Sequence, residues 1–255
     1  MTKAEIQFVR SLADKRTRNE TRLFTAEGAK LVGEILASPL KVRKLYALDG
    51  VFDGRAERIA PHEMERISSL KTATDSLAVV EQPHYRTPDV APADRLTLAL
   101  DGVQNPGNMG TIVRLADWFG IDDIFCSEDS ADLYNPKVVQ ATMGAILRVR
   151  VHYLPLPDFL ARTAARGTAV YGTALDGDDL YGAPLDGTGV IVMGNEGRGI
   201  SAECAASLTR RLLIPSYPAD RRGSESLNVA MAAGIVCSEF RRRTMRGQSL
   251  DGLIG

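Results

Sequence analysis

At 255 residues, with 44% hydrophobic and 25% charged side chains, the chain has enough apolar material for one large core or two modest ones, without metal or disulfide support. Its formal net charge of −1 argues against a protein that coats nucleic acid indiscriminately, but not against one whose basic charge is local. No run of about 18 apolar residues marks a membrane helix, and Met1-Thr2-Lys3-Ala4-Glu5 lacks the basic-then-apolar order of a signal peptide, so the expected compartment is the cytoplasm.

Residues 1–84 read as an α/β unit. Residues 6–12 form an amphipathic helix, 23–26 an extended run, and 28–37 a helix stopped by Pro39. Residues 42–48 follow as a strand, 61–70 as a helix with Met64, Ile67 and Leu70 at helical spacing, and 77–80 as a last strand. A basic run, Lys15-Arg16-Thr17-Arg18 with Arg22, stands near the start; it suits a solvated face or a grip on phosphates. Residues 85–95 contain Pro88 and Pro92 and no long apolar run, which is the composition of a linker.

The rest, residues 96–255, alternates strands and helices. Strands are expected at 96–100, 123–127, 147–153, 168–173, 189–193 and 211–214, with helices near 109–119, 136–144, 156–166, 201–207 and 226–243. Apolar strands separated by helical intervals imply a mostly parallel sheet covered on both faces. Cys126, Cys204 and Cys237 lie far apart beside apolar neighbours, and His62, His84 and His152 are equally scattered, so no metal site is expected and the thiols are assigned to packing. Further basic runs fall at Arg210-Arg211, Arg221-Arg222 and Arg241-Arg242-Arg243 with Arg246.

Ligands of such sheets settle at the carboxyl ends of the strands, and three loops there carry chemistry. The first runs from Asp101 to Gly110. Its glycines at 102, 107 and 110 miss the G-x-G-x-x-G spacing of a dinucleotide fingerprint. Asn105-Pro106-Gly107 signals a turn, and Asn108 either caps a helix opening at Met109 or serves the site. Arg114, on that helix, is placed to anchor a phosphate or to pair with Asp117.

The second loop, Gly194-Asn195-Glu196-Gly197-Arg198-Gly199, follows the apolar run 190–193 and ends at Ser201, a helix cap. Its glycines allow close backbone approach to a ligand or a tight turn, and Glu196 orients a substrate group or braces a neighbouring loop. The third loop runs from Pro215 to Asn228. An amide at Asn228 in an apolar first helical turn needs a partner, as a cap, a brace or part of a ligand site.

Together these loops resemble the SpoU (TrmH-like) family of RNA 2'-O-ribose methyltransferases, of the knotted SPOUT class. The resemblance rests on Asn105-Pro-Gly-Asn-Met-Gly-Thr-Ile-Val-Arg114, on Val192-Met-Gly-Asn-Glu-Gly-Arg-Gly-Ile-Ser201, and on Ile214-Pro215 with Glu225-Ser-Leu-Asn-Val229. The segment Arg22-Leu-Phe-Thr-Ala-Glu-Gly-Ala-Lys-Leu-Val32 is similar to the opening of the family's N-terminal substrate-binding domain, which resembles small ribosomal proteins.

The resemblance implies a C-terminal trefoil-knotted domain, a homodimer, and methyl transfer from S-adenosylmethionine to a ribose 2'-hydroxyl of ribosomal or transfer RNA, with S-adenosylhomocysteine as product. The alternatives are a base methyltransferase or a non-catalytic RNA-binding protein. Carried over by motif, Gly194, Ile214 and Leu227 become main-chain contacts of the cofactor, with Met193, Glu196, Gly197, Pro215, Ser226 and Asn228 beside them. Arg114, Asn108, Glu196, Ser226 and Asn228 become the polar groups around the reacting atoms. RNA falls to Lys15, Arg16, Arg18, Arg22 and Arg114. The loop between Ile214-Pro215 and Ser226 is about four residues longer than the family's usual one. Two separate domains further imply that a fragment starting near Leu96 keeps cofactor binding.

Overall fold

A computed structural model describes residues 1–218 and 226–245. The basic pair Arg221-Arg222, most of the long loop, and Arg246 lie outside the described residues. The chain divides into two compact units, residues 1–85 with 131–148, and residues 86–130 with 149–255. The return of residues 131–148 to the first unit departs from the simple division at the linker, which assigns them to the second.

In the first unit α1 (Lys3–Ser11) starts at a capping box: Thr2 Oγ1 accepts the Glu5 N–H at 3.2 Å, and the Glu5 carboxylate accepts the Thr2 N–H at 2.7 Å. Its inner face, Ile6 and Val9, joins Leu12, Tyr46, Met64, Ile67, Leu77 and Val79 in one core. The basic run is itself a helix, α2 (Lys15–Thr21), which apolar periodicity could not reveal because its buried residue is Arg18. There follow β1 (Leu23–Glu27), α3 (Ala29–Leu36), β2 (Val42–Ala47), the two-residue β3 (Glu57–Arg58), α4 (Pro61–Ile67) and β4 (Ser76–Glu81). The sheet order is β1-β4-β2-β3, antiparallel except for the β2/β3 pair. Residues 131–148 complete this unit, with Tyr134 packing on Phe24 of β1 at 4.9 Å between ring centroids.

The second unit contains β5 (Leu96–Leu100), α5 (Pro106–Trp118) and β6 (Asp123–Cys126); α6 (Pro136–Ala141), next in the chain, belongs to the first. It continues with β7 (Arg150–Tyr153), α7 (Leu156–Ala165), β8 (Val170–Asp179), β9 (Gly189–Met193), α8 (Ala202–Ala205), β10 (Arg210–Leu213) and α9 (Val229–Met245). Its six strands run parallel in the order β10-β8-β9-β5-β6-β7, in accord with the expected sheet. Strands β5, β6 and β9 are buried along their whole length, so they read as mostly apolar runs without polar alternation, Thr97 and Asp123 being the buried polar exceptions. The chain leaves β5 toward β6 and β7 on one side, and after returning through β8 to β9 it leaves β9 toward β10 on the other, so the switch point lies between β5 and β9. Leu100 pairs with Met193 there, and the first two loops leave the sheet side by side.

The proline-bearing segment is bound along the second unit. The Thr87 hydroxyl lies 3.4 Å from His152 Nδ1, the Asp89 carbonyl accepts from Arg162 at 3.1 Å, and the Ala91 N–H donates to the Thr163 hydroxyl at 3.1 Å. Ala91 itself is core, beside Phe125, Phe159 and Val190.

Candidate functional site

The first loop passes into α5 through Asn105, whose Oδ1 accepts the N–H groups of Gly107 at 2.8 Å and Asn108 at 3.2 Å while Pro106 occupies the first helical position. Asn105, not Asn108, is therefore the cap. The helix opens three residues before Met109, and the Asn-Pro pair was the signal for it. Asn108 is left with its side chain free for the neighbouring loops. Its Nδ2 donates to Glu196 Oε1 at 2.9 Å, and its Oδ1 accepts from Asn228 Nδ2 at 3.0 Å. One carboxamide thus joins all three loops.

Asn228 has the partners its amide requires, although it is exposed rather than buried. Its Oδ1 accepts the N–H groups of Ala230 at 3.0 Å and Met231 at 3.3 Å, capping α9. Ser226 and Leu227 just before it are exposed, and the Ser226 hydroxyl bonds no described residue. Ile214 and Pro215 directly follow β10.

Asn195, which motif reading passed over, shapes the second loop. Its Nδ2 donates to the Gly102 carbonyl at 2.7 Å, and its Oδ1 accepts the N–H groups of Gly197 at 2.9 Å and Arg198 at 3.1 Å. Its backbone exchanges two further hydrogen bonds with Gly199, both 2.9 Å. This folding presses Gly194, buried behind Met193, so close to the returning chain that a Cβ there would meet the Gly199 carbonyl carbon at 2.2 Å. Asp101 Oδ2 accepts the Ser201 N–H at 2.7 Å and ties the same two loops again.

Arg114 stands apart from this junction. It is exposed on α5, and no hydrogen bond or ion pair with a described residue engages its guanidinium. The same side of α5 carries Thr111 and Leu115, which with Tyr181, Met231, Gly234 and Ile235 line a groove of about 400 Å³ between α5 and α9. Met231 is 63% exposed at this groove, and Trp118, one turn beyond Arg114, is 83% exposed. Glu239 also lines it; its carboxyl is drawn down to about 2 by the hydrogen bond from Arg242, against the effect of burial and with Arg243 adding to the pull.

Of the basic residues assigned to RNA, Lys15, Arg16 and Arg22 are exposed, with Arg16 paired to Glu20 at 2.8 Å. Arg18 is a correction. It is 1% exposed, donates from Nη1 to the carbonyls of Leu12 and Ala13 at 2.8 and 2.7 Å, and from Nε and Nη2 to Asp132 Oδ2 at 2.9 and 2.5 Å. Its donors are consumed in holding the first unit together. The late basic run is likewise structural: Arg241 caps the carbonyls of Phe119 and Gly120 at 2.6 and 2.9 Å, and Arg243 those of Leu180 and Tyr181 at 3.0 and 2.6 Å. Burial pushes the thiols of Cys204 and Cys237 up to about 12 and that of Cys126 higher, which leaves them inert. Among the described residues no cluster of His, Cys, Asp and Glu is arranged to hold a metal ion, and no helix is long and apolar enough to cross a membrane.

Comparison with known proteins adds the family. The SpoU rRNA Methylase family matches residues 95–238, and the MRM3-like substrate binding domain matches residues 3–85. The 23S rRNA (guanosine(2553)-2'-O)-methyltransferase RlmP of Bacillus subtilis is 32% identical over 244 residues, 91% of this chain and 94% of that protein. Among solved structures, a TrmH-family protein from Porphyromonas gingivalis is 42% identical with a TM-score of 0.85, covering 95% of this chain and 99% of that one. An AdoMet-bound rRNA methyltransferase from Sinorhizobium meliloti is 28% identical with a TM-score of 0.82, covering 95% and 96%. With three loops joined at the switch point of a parallel sheet, and the family matched across that whole sheet, this chain belongs to the SpoU rRNA methylase family.

Proposed function

We propose that this protein transfers a methyl group from S-adenosylmethionine to the ribose 2'-hydroxyl of a nucleotide in structured RNA, with ribosomal RNA as the substrate class. The observation that carries this is the Glu196–Asn108–Asn228 tie, which assembles the family's polar positions where a parallel sheet binds ligands. The residues fit the cofactor. Gly194 lets the second loop fold back on itself as bare main chain, a Cβ there meeting the Gly199 carbonyl carbon at 2.2 Å; that main chain, with Gly197, Ile214, Pro215 and Leu227, would hold the cofactor, with Met193, Glu196, Ser226 and Asn228 alongside. Bound there, S-adenosylmethionine supplies a methyl group activated by its sulfonium.

Arg114 does the remaining work on the RNA. A guanidinium stays protonated, so it is a poor proton acceptor and a strong electrostatic one. It holds the phosphate beside the target ribose and lowers the proton affinity of the 2'-oxygen, so that the hydroxyl proton passes to solvent as the oxygen takes the methyl group and the cofactor becomes a neutral thioether. The groove beside Arg114 supports the homodimer that the family implies. A second copy seated on α5 and α9 covers Trp118 and Met231 and carries each Arg114 toward the partner's loops. The first unit, through Lys15, Arg16 and Arg22, positions the RNA by its phosphates, and the compartment is the cytoplasm.

The test is purified protein, radiolabelled S-adenosylmethionine and total RNA from cells lacking the gene, followed by nucleoside digestion. The label is expected on 2'-O-methyl nucleosides. Arg114→Ala should lower turnover about a thousandfold while the cofactor Kd, measured by calorimetry, stays within about twofold. Label on the base, or no cofactor binding by the unaltered chain, overturns the assignment.

A further inference from the structure

A cavity of about 420 Å³ opens in the first unit, inside the region matched by a substrate-binding domain except for its wall from α6. Lys30 and Glu34 of α3, Asp75 ahead of β4, and Gln140 and Met143 at the end of α6 line it. The methyl-transfer site uses none of them. The volume suits one nucleotide and is too small for a duplex, within the range of about 300–1,000 Å³ for small-ligand sites.

The lining offers acceptors and donors together. Asp75 Oδ1 is held by the Ala29 N–H at 3.0 Å and the Ser76 hydroxyl at 2.9 Å, while its Oδ2 accepts from no described residue. Glu34 Oε2 faces Arg148 at 3.6 Å, and its Oε1 is likewise unused. Asp75 is anchored by two hydrogen bonds to one oxygen and Glu34 is ion-paired through one oxygen, and each keeps its other oxygen as an acceptor. Glu27 also borders the cavity, but both its oxygens are occupied by Ser68 and Ser69. The Gln140 amide and the Lys30 ammonium supply donors that bond no described residue. Met143, 52% exposed, sits in the left-handed region at φ +50° and adds a polarisable thioether side chain to the wall.

We infer that this cavity seats one unpaired guanine of the RNA, an inference that rests on RNA being the substrate. Two carboxylate acceptors and a donor lining one cavity suit a base edge that offers two adjacent N–H groups beside a carbonyl. Guanine presents that edge, with N1–H and the 2-amino group beside O6. Adenine and cytosine each place one amino group beside a ring acceptor, and uracil one N–H between two carbonyls, so each leaves a carboxylate facing a lone pair. The carboxylates also repel a phosphate, which keeps the backbone at the Lys30 rim. Unstacked bases in loops are the parts of RNA that proteins read by such edges.

The test uses the full chain with methyl-13C methionine, the Met143 signal being identified by its loss in Met143→Leu, titrated with the four nucleoside monophosphates and inosine monophosphate. Guanosine monophosphate should shift the Met143 methyl at about tenfold lower concentration than AMP, CMP or UMP, with inosine monophosphate weaker for want of the 2-amino group. Glu34→Gln and Gln140→Ala, each checked for an unchanged fold by the remaining methyl signals, should erase that preference. No shift with any nucleotide, equal shifts with all four, or a preference that survives both variants overturns the inference. Adding S-adenosylmethionine to the same sample reads the Met193 methyl. A cofactor shift without a guanine response removes only this inference, whereas a guanine response without a cofactor shift removes the transferase reading and leaves the pocket standing.

Discussion

The carboxamide of Asn228 donates to Asn108 Oδ1 at 3.0 Å, and that bond has a fixed direction. Asn228 Oδ1 is committed to the N–H groups of Ala230 and Met231, so only its Nδ2 is free to face Asn108. Asn108 must then accept through Oδ1 and donate through Nδ2, which makes Glu196 an acceptor. The cap of α9 thereby sets the polarity of a bond two loops away. Asn108→Ala should lower kcat/KM roughly ten- to hundredfold, the worth of a hydrogen bond to a charged group at ~1.5–3 kcal/mol. Asn108→Asp, which sets one carboxylate against another, should lose more. Steady-state kinetics in which both variants match the unaltered chain would show the tie to be incidental.

Two glycines of the second loop should separate sharply. A Cβ at Gly194 would overlap the Gly199 carbonyl carbon, whereas one at Gly197 would find its nearest atom at 3.7 Å. Gly194→Ala is expected to lower Tm by several degrees and weaken cofactor binding by about tenfold or more. Gly197→Ala should leave Tm within about 2 °C. Thermal melts with equal losses at the two positions would mean that the loop yields and backbone proximity is not the constraint.

Arg18 should behave as a keystone and Lys15 as a surface residue. Removing the guanidinium takes the charge partner from Asp132, whose side chain is 14% exposed and keeps the Tyr134 N–H at 3.0 Å, and leaves two carbonyls without their donor. Arg18→Ala is expected to cost about 3–5 kcal/mol in denaturant unfolding, and Lys15→Ala to change stability by less than about 0.5 kcal/mol. A weakened RNA interaction in Lys15→Ala without a change in stability would match its place on the surface. A stable Arg18→Ala protein would contradict the assignment of Arg18 to the interior.

Acid should loosen the second unit through Asp123. Burial pushes its carboxyl up, but hydrogen bonds from His152 at 3.0 Å and from Arg150 at 2.7 and 2.8 Å outweigh that and hold it well below the usual carboxylate range. With the folded value below the unfolded one, the native state binds fewer protons. The stabilisation is therefore full above about pH 4 and is lost as pH falls below that toward the depressed value. Asp123→Asn should begin less stable at pH 7, by about 3 kcal/mol, and decline less between pH 5 and 3. Parallel urea curves for the two proteins across that interval would rule the mechanism out.

Much of the second unit was legible because burial wrote it into composition: β5 and β9, covered on both faces, are apolar runs broken only by Thr97. Helix α2 was not, since its one inward residue is an arginine and periodicity counts apolar side chains. The far half of β8 escaped for a related reason. Its acidic residues look like a loop, yet Asp178 and Asp179 pair with Leu212 and Leu213 of β10, and Gly177 lies so close that a Cβ would meet the β10 backbone at 2.7 Å. At the site, the motifs singled out Asn108, Glu196 and Asn228 and left open whether Asn108 caps the helix, a role that falls to Asn105. They missed Asn195 because a residue that bonds only backbone carries no local pattern.

The polypeptide changes unit three times, at 85/86, 130/131 and 148/149. No single cut therefore frees either half intact. A fragment opened at Leu96 forfeits Ala91 from its own interior and leaves Tyr134 with no Phe24 to lie against. Moving the first unit whole onto a relative would mean transplanting two stretches of chain at once, the leading 85 residues and the eighteen-residue insert from Ala131 to Arg148. The two units are thus interleaved along the sequence, and each is inherited with part of the other.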